Sequence, residues 1–258
     1  MKIGIIGSGS MGSAIVKGFH KSKHIDMKDI YIKTGKSDKA KVLAQSVNAH
    51  FIEDYQSIKD ANMIILVVLN NEVKNILENL SDIINKSTTI VSVVPSISIE
   101  EIENMLPEKQ PIVSLLPNTV VEINEGIIGY INNPYVDEEK INTIFKPLGK
   151  LIKINQNEVS IFSTISGCGP AFVDLFIEGL SDGAVLNGMN RALSYEVITE
   201  MIIGAAKLAQ ETKKHPGILK DEVTSPGGST IKAITTMEKH AFRYALSDAI
   251  TSVNRKEL

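Results

Sequence analysis

Short, almost wholly apolar runs alternate with segments of helical period over the first part of the chain. Residues 2–6, 30–33, 63–69, 88–94 and 112–116 are β-rich, and 63–69 reads Met-Ile-Ile-Leu-Val-Val-Leu without a polar break. A run with no polar alternation suits a strand covered on both faces, as in parallel sheets. Between these runs, 11–21 places Ala14, Ile15 and Gly18 on one helical face, and 38–46 and 71–80 also have helical spacing. Asp38 stands as the N-cap of its helix, and Ser98-Ile99-Glu100-Glu101 has the capping-box pattern of a helix start. Such alternation predicts an α/β fold: a Rossmann-type, doubly wound, mainly parallel sheet.

The pattern changes near residue 155. No strand-like alternation follows Ile154, and from 157 to 187 the period is helical, with Phe172, Leu175, Phe176, Gly179, Leu180, Gly183 and Ala184 in one stripe. A second long helix is expected over 191–214, with Ile198, Met201, Ile202, Ala205, Leu208 and Ala209 on one face and Pro216 stopping it. Two more helices flank a break at Ser225-Pro226-Gly227-Gly228. The expected organisation is a dinucleotide-binding domain over 1–155, then an all-α substrate-binding and dimerisation domain over 156–258. The helical domain has roughly 100 residues, barely enough for a core of its own, so dimerisation is expected to complete it.

The first strand runs directly into Gly7-Ser8-Gly9-Ser10-Met11-Gly12, a G-x-G-x-x-G loop that opens a helix. Gly7 permits the tight turn, Gly9 lets a pyrophosphate approach the backbone, and Gly12 allows close packing of helix and strand. The free N–H groups and positive dipole end of the helix then face the phosphates. The plain alternative is a structural glycine turn. The second strand ends in Lys33-Thr34-Gly35-Lys36-Ser37, with no acid before Asp38. An NAD site usually places an acid there for the ribose hydroxyl, whereas lysines and hydroxyls suit a 2′-phosphate. Lys33, Thr34 and Lys36 therefore point to NADPH, with NADH as the alternative, unless the two lysines are merely solvated loop charges.

Composition narrows the partners. The 258 residues are 43% hydrophobic and 22% charged, an ordinary globular balance, and the net charge of −3 leaves no basic footprint for nucleic acid. The single cysteine, Cys168, excludes an intramolecular disulfide and fits a reducing compartment. The opening apolar run is too short for a signal peptide, and no uninterrupted apolar stretch approaches the ~20 residues of a membrane helix. A cytoplasmic protein without membrane attachment is expected. Of the 5 histidines only His20 and His24 share an i, i+4 spacing, with no cysteine nearby, so no metal site is expected.

Two segments of the helical half carry a family resemblance. Ser166-Gly167-Cys168-Gly169-Pro170-Ala171-Phe172 resembles the S-G-S-G-P-A-Y motif of pyrroline-5-carboxylate reductases, and Thr224-Ser225-Pro226-Gly227-Gly228-Ser229-Thr230 resembles their T-S-P-G-G-T-T signature. Pro117-Asn118-Thr119 with Glu125-Gly126 resembles their M-P-N-T-P…G-E-G segment, and His240-Ala241-Phe242-Arg243 resembles their G-G-F-R stretch, all in the right order. The resemblance implies NADPH-dependent reduction of 1-pyrroline-5-carboxylate to L-proline. It places Val68, Leu69 and Asn118 with the glycine loop at the cofactor. It assigns Ser225, Gly227, Gly228, Ser229 and Thr230 to the substrate, with the Thr230 hydroxyl near the imine nitrogen. It also implies a homodimer and leaves a larger ring of dimers open.

The residues support that chemistry independently. A loop-to-helix turn over 225–230 offers backbone N–H groups and a helix dipole to a carboxylate, with Gly228 expected to need positive φ. Read alone, it could equally be an interhelical Pro-Gly turn.

The chain departs from the family pattern. Val68-Leu69-Asn70 stands where V-K-P is common, Ser114 stands where an arginine is common, and Val94-Pro95-Ser96 stands where A-A-G is common. These changes favour the alternative of a non-catalytic relative, or of another cyclic imine as substrate. A β-hydroxyacid dehydrogenase is argued against, because no lysine lies between Lys153 and Lys207.

Overall fold

The computed structural model describes residues 1–35 and 38–254. The chain divides into two compact units, Met1–Gly167 and the residues from Cys168 onward.

The first unit alternates β1 (Ile3–Ile6), α1 (Ser10–Ser22), β2 (Ile30–Lys33), α2 (Lys39–Val47), β3 (His50–Phe51), β4 (Met63–Leu66), α3 (Asn70–Ser81), β5 (Thr89–Ser92), α4 (Ile99–Glu103) and β6 (Ile112–Leu116). It ends with β7 (Gly126–Asn132), α5 (Glu138–Phe145), β8 (Gly149–Lys153) and α6 (Val159–Ser163). The eight strands form one sheet in the order β3-β2-β1-β4-β5-β6-β7-β8. All pairings are parallel except β6 with β7. The predicted doubly wound sheet is present.

Why the strands read as unbroken apolar runs is visible in the packing. Ile3, Ile5, Met63, Ile65, Val91 and Val113 project into one apolar cluster, with Ile15 and Phe19 of α1, Leu43 of α2 and Phe145 of α5. Ile6, Ile64, Leu66, Ile90 and Ile112 project the other way, onto Val73, Leu77 and Leu80 of α3 and Ile102 of α4. Successive residues serve opposite faces, and both faces are covered. The Ser98 capping box forms as expected: the Ser98 N–H donates to Glu101 (2.7 Å) and the Glu101 N–H to Ser98 Oγ (3.2 Å). Asp38 occupies its N-cap position without a side-chain capping bond.

β3, β7 and β8 lie beyond the predicted strands. The short link from β6 leaves no room for a crossover helix, so β7 returns antiparallel.

The second unit is helical, with α7 (Gly169–Leu186), α8 (Arg191–Thr212), α9 (Pro216–Glu222), α10 (Ser229–Lys239) and α11 (Phe242–Asn254). A π-helical turn, Thr164–Cys168, leads from α6 into α7. The Ser166 hydroxyl donates back to the Phe162 carbonyl at 2.8 Å. α7 and α8 are linked by a short turn in which Asn190 accepts from the Ala192 and Leu193 N–H groups. Ser181 and Ser194 are fully buried with their hydroxyls 2.5 Å apart, and Arg191 reaches Ser181 (2.9 Å) and Asp182 (2.7 Å).

Two expectations need correction here. α8 ends at Thr212 with Lys213 left-handed at φ 53°, so Pro216 is not its stop. Pro216 instead begins α9, where its missing N–H costs nothing. A further helix, α11, follows α10 across Ala241, whose φ is +56°. A left-handed alanine is strained, and glycine is the residue that adopts this conformation freely. Ala241→Gly is expected to stabilise the chain by about 1 kcal/mol or less, because relieved strain outweighs the added freedom of the unfolded chain. A thermal melt checks it; an unchanged or lower midpoint counts against the strain.

Candidate active site

The groove of the first unit opens where the strand order reverses, between β1 and β4. Ligands of open α/β sheets bind at this switch point, beyond the carboxyl ends of the strands. Backbone bonds hold those ends together: Gly7 N–H to Lys33 O, Val67 N–H to Ile6 O and Val93 N–H to Leu66 O, each 2.8 Å. The groove has a volume of about 630 Å³ and is lined by the whole loop Gly7–Gly12 together with Lys33, Thr34, Val68 and Leu69.

Each loop glycine has a local cause. Gly7 has φ +111°, and a Cβ there would sit 2.0 Å from the Val67 carbonyl oxygen. A Cβ on Gly12 would sit 2.2 Å from the Gly7 carbonyl oxygen, so the close approach is to the turn itself. A Cβ on Gly9 would meet nothing within 4 Å. Gly9 thus faces open space. Gly9 is the N-cap of α1 and supplies no side-chain cap, which leaves the first N–H groups of α1 for a ligand. Ser8 is 5% exposed, and its hydroxyl oxygen is buried with no partner among the described residues. An orphaned hydroxyl beside free helix N–H groups fits a phosphate.

The other expected cofactor residues divide. Lys33 donates to the Glu53 carbonyl at 2.7 Å and stands 4.9 Å from the centroid of the Tyr55 ring. Leu69 is 71% exposed on the groove wall. Its N–H donates to Glu72 at 3.3 Å at the start of α3. Asn118 is buried, does not line the groove, and accepts from the Ile127 N–H at 3.4 Å. Lys36 lies outside the described residues. Tyr55, Asn71, Glu72 and Asn75 line the groove although the sequence did not single them out. Burial raises the Tyr55 phenol above its usual pKa, with Glu72 adding to the shift.

In the second unit, Ser225–Gly228 closes a β-turn by a Gly228 N–H to Ser225 O bond of 3.0 Å. Pro226 occupies its second position, and Gly227, at φ +69°, its third. That is the chemistry of a type II turn. Positive φ thus falls on Gly227 and not on Gly228, whose φ is −68°. Gly228 is restricted by space instead, since a Cβ there would stand 2.5 Å from Ser225 Oγ. Gly228 is the N-cap of α10 and provides no side-chain cap, so among the described residues Ser229 and Thr230 open the helix with N–H groups that have no capping partner. Thr230 is exposed, and among the described residues no hydrogen bond engages its hydroxyl. Cys168, partly buried, ends the π-helical turn.

A glycine loop at a sheet switch point, with an orphaned hydroxyl and free helix N–H groups, defines a dinucleotide-binding protein of the Rossmann class. The comparisons with known proteins go further. Residues 156–258 match the pyrroline-5-carboxylate reductase dimerisation family, and residues 2–96 match the family described as NADP oxidoreductase coenzyme F420-dependent. The pyrroline-5-carboxylate reductase of Escherichia coli (strain K12) is 32% identical, over 99% of this chain and 96% of that one. That of Methanosarcina acetivorans is also 32% identical, over 100% and 97%. The crystal structure of Plasmodium falciparum pyrroline carboxylate reductase with NADP bound superimposes with a TM-score of 0.88 at 28% identity, covering 98% of this chain and 95% of that one. The chain belongs to the pyrroline-5-carboxylate reductase family.

The dimerisation match falls on the helices that lack a core. Among the described residues from Cys168 onward, Ile198 (8% exposed) is the one buried apolar side chain, while Leu175 and Leu186 are 69% and 87% exposed. Among the described residues one helical stretch, residues 156–186, is long and apolar enough by length and composition to cross a membrane; its most apolar 18-residue window has mean hydropathy 1.4 and is 11% buried, although polar residues such as Asp174 and Glu178 interrupt the stretch. The exposed apolar residues continue through α8 and α11, at Leu193, Met201, Leu208, Tyr244 and Val253. A surface shared among several helices is what a helical subunit interface requires.

Proposed function

We propose that this chain is an NADPH-dependent reductase that converts 1-pyrroline-5-carboxylate to L-proline, the last step of proline biosynthesis. The observation that carries the reading is full-length identity of 32% to a pyrroline-5-carboxylate reductase, together with a groove whose loop leaves the Ser8 hydroxyl and the α1 N–H groups for phosphate. Gly7, Ser8, Gly9, Ser10, Met11 and Gly12 hold the pyrophosphate, Lys33, Thr34 and Lys36 the 2′-phosphate end, and Val68 and Leu69 the groove wall. When bound, NADPH supplies hydride to the imine carbon. The turn at Ser225, Gly227, Gly228, Ser229 and Thr230 orients the substrate: its helix N–H groups take the carboxylate, and the Thr230 hydroxyl aligns the imine nitrogen. A protonated iminium accepts hydride readily, so the residues act by orientation and charge placement rather than by a strong acid.

The test is NADPH oxidation by the purified protein with pyrroline-5-carboxylate, with proline identified as product. Turnover is expected. NADPH binding without turnover would favour the non-catalytic relative that Leu69, Ser114 and Pro95 suggest.

The reading includes NADPH over NADH. Lys36→Glu is expected to shift the ratio of kcat/KM toward NADH on the order of tenfold, about 1.4 kcal/mol. Steady-state kinetics with both cofactors check it, and a wild-type preference for NADH contradicts it.

The reading also includes a homodimer built on the exposed faces of the helical unit, with a ring of dimers as the larger assembly, in the cytoplasm. Sedimentation at micromolar concentration is expected to give at least twice the mass of one chain. A monomer would refute the interface.

A further inference from the structure

The groove holds one pairing that the family assignment does not account for. Lys33, the last residue of β2, is the only cation among the described residues lining the groove. Two contacts fix its ammonium: the Glu53 carbonyl oxygen at 2.7 Å and the Tyr55 ring at 4.9 Å from its centroid. Tyr55 is itself anchored, packed partly buried against the apolar cluster beneath α3 while also lining the groove. An acid in the same segment is already committed. Asp54 accepts from both the N–H and the hydroxyl of Ser57, each at 2.9 Å. Its carboxylate is held low chiefly by those bonds, with the Lys33 charge adding to them.

We propose that Tyr55 is a specificity-determining positioning residue that holds the Lys33 ammonium ready for the 2′-phosphate of the dinucleotide. This rests on the NADPH reading above. A free lysine side chain would lose its rotamer freedom on meeting the phosphate. Here the Glu53 carbonyl takes one ammonium N–H and the ring face covers part of the cation, so much of that freedom is already lost before binding. The remaining N–H groups are left for an anion. The effect belongs to NADPH alone, since NADH carries no phosphate at that position.

The experiment measures Kd for NADPH and for NADH by fluorescence titration in the wild type, Tyr55→Leu, Tyr55→Phe, Lys33→Met and the Lys33→Met/Tyr55→Leu double variant. Tyr55→Leu removes the ring face, and the Kd ratio of NADH to NADPH is expected to fall about three- to fivefold, the size of a partly exposed cation–π contact. Tyr55→Phe keeps the face and is expected to keep the ratio. In the Lys33→Met background the leucine change is expected to move the ratio no further, because Tyr55 acts through Lys33.

If Tyr55 merely shapes the wall, Tyr55→Leu weakens both cofactors equally and the ratio stays put, which overturns the proposal. A ratio that falls as far in Tyr55→Phe also overturns it, by assigning the effect to the hydroxyl. Wild-type protein that binds neither cofactor fails the underlying reading, a result visible before any variant is compared.

Discussion

Thr230→Ala is expected to lower kcat roughly ten- to a thousandfold while leaving NADPH affinity near wild type. The threonine follows a tight turn at the start of α10, where Gly228 supplies no cap and the helix N–H groups face outward. Among the described residues nothing engages its hydroxyl, so removing it should cost the fold little. A group that is idle in the folded chain but bonded to a reacting substrate contributes to the transition state and not to stability. Gly227 and Gly228 answer differently. Any side chain at Gly227 must adopt φ +69°, and one at Gly228 crowds Ser225 Oγ at 2.5 Å, so both changes distort the turn and raise KM. Cys168→Ser restores the commoner family residue and should keep activity. Single-turnover kinetics, NADPH titration and a thermal melt separate these cases. Full activity in Thr230→Ala together with its loss in Cys168→Ser would falsify the assignment of the turn and point to thiol chemistry.

How much of this was legible in the sequence follows from how local each signal is. β4 was readable because burial on both faces demands continuous apolar side chains, and 63–69 supplies them. β7 was not, because its Gly126 and Gly129 dilute the pattern and its direction depends on the short link from β6. The break before α11 carries no glycine or proline; Ala241 adopts a left-handed conformation for which the alanine itself gives no warning. Pro216 gave a true signal with two meanings, an end or a beginning, and α9 takes the second.

The glycine loop was legible as a strand–loop–helix unit, since its parts are contiguous, although the close approach at Gly12 is to the Gly7 turn rather than to the strand. Tyr55 and Glu72 were not, because they join Lys33 at the groove from separate segments, a juxtaposition that only the sheet order creates. Asn118 came from its motif, and nothing in the sequence signals that its side-chain oxygen accepts the Ile127 N–H in the link that leads into β7.

Gly9→Ala and Gly12→Ala are expected to fail in opposite ways, although they lie three residues apart on one loop. At Gly12 an added Cβ stands 2.2 Å from the Gly7 carbonyl oxygen, a backbone atom that cannot swing aside. Alanine gains about 1 kcal/mol of helix propensity over glycine. Overpacking against fixed backbone costs up to about 3 kcal/mol or more, so the clash wins and the chain loses stability. At Gly9 the φ of −66° suits any residue, and an added Cβ meets no atom within 4 Å. The only penalty to the fold is a poorer N-cap, about 1 kcal/mol. Yet the methyl would fill the approach to the Ser8 hydroxyl and the α1 N–H groups, where the pyrophosphate is expected. NADPH Kd should therefore rise on the order of ten- to a hundredfold, equivalent to about 1.4–2.8 kcal/mol. Thermal melts and cofactor titration on the two variants give the contrast directly. A Gly9→Ala protein that binds NADPH as tightly as wild type would mean that the pyrophosphate does not lie on this loop, and the cofactor assignment of residues 7–12 would have to be abandoned.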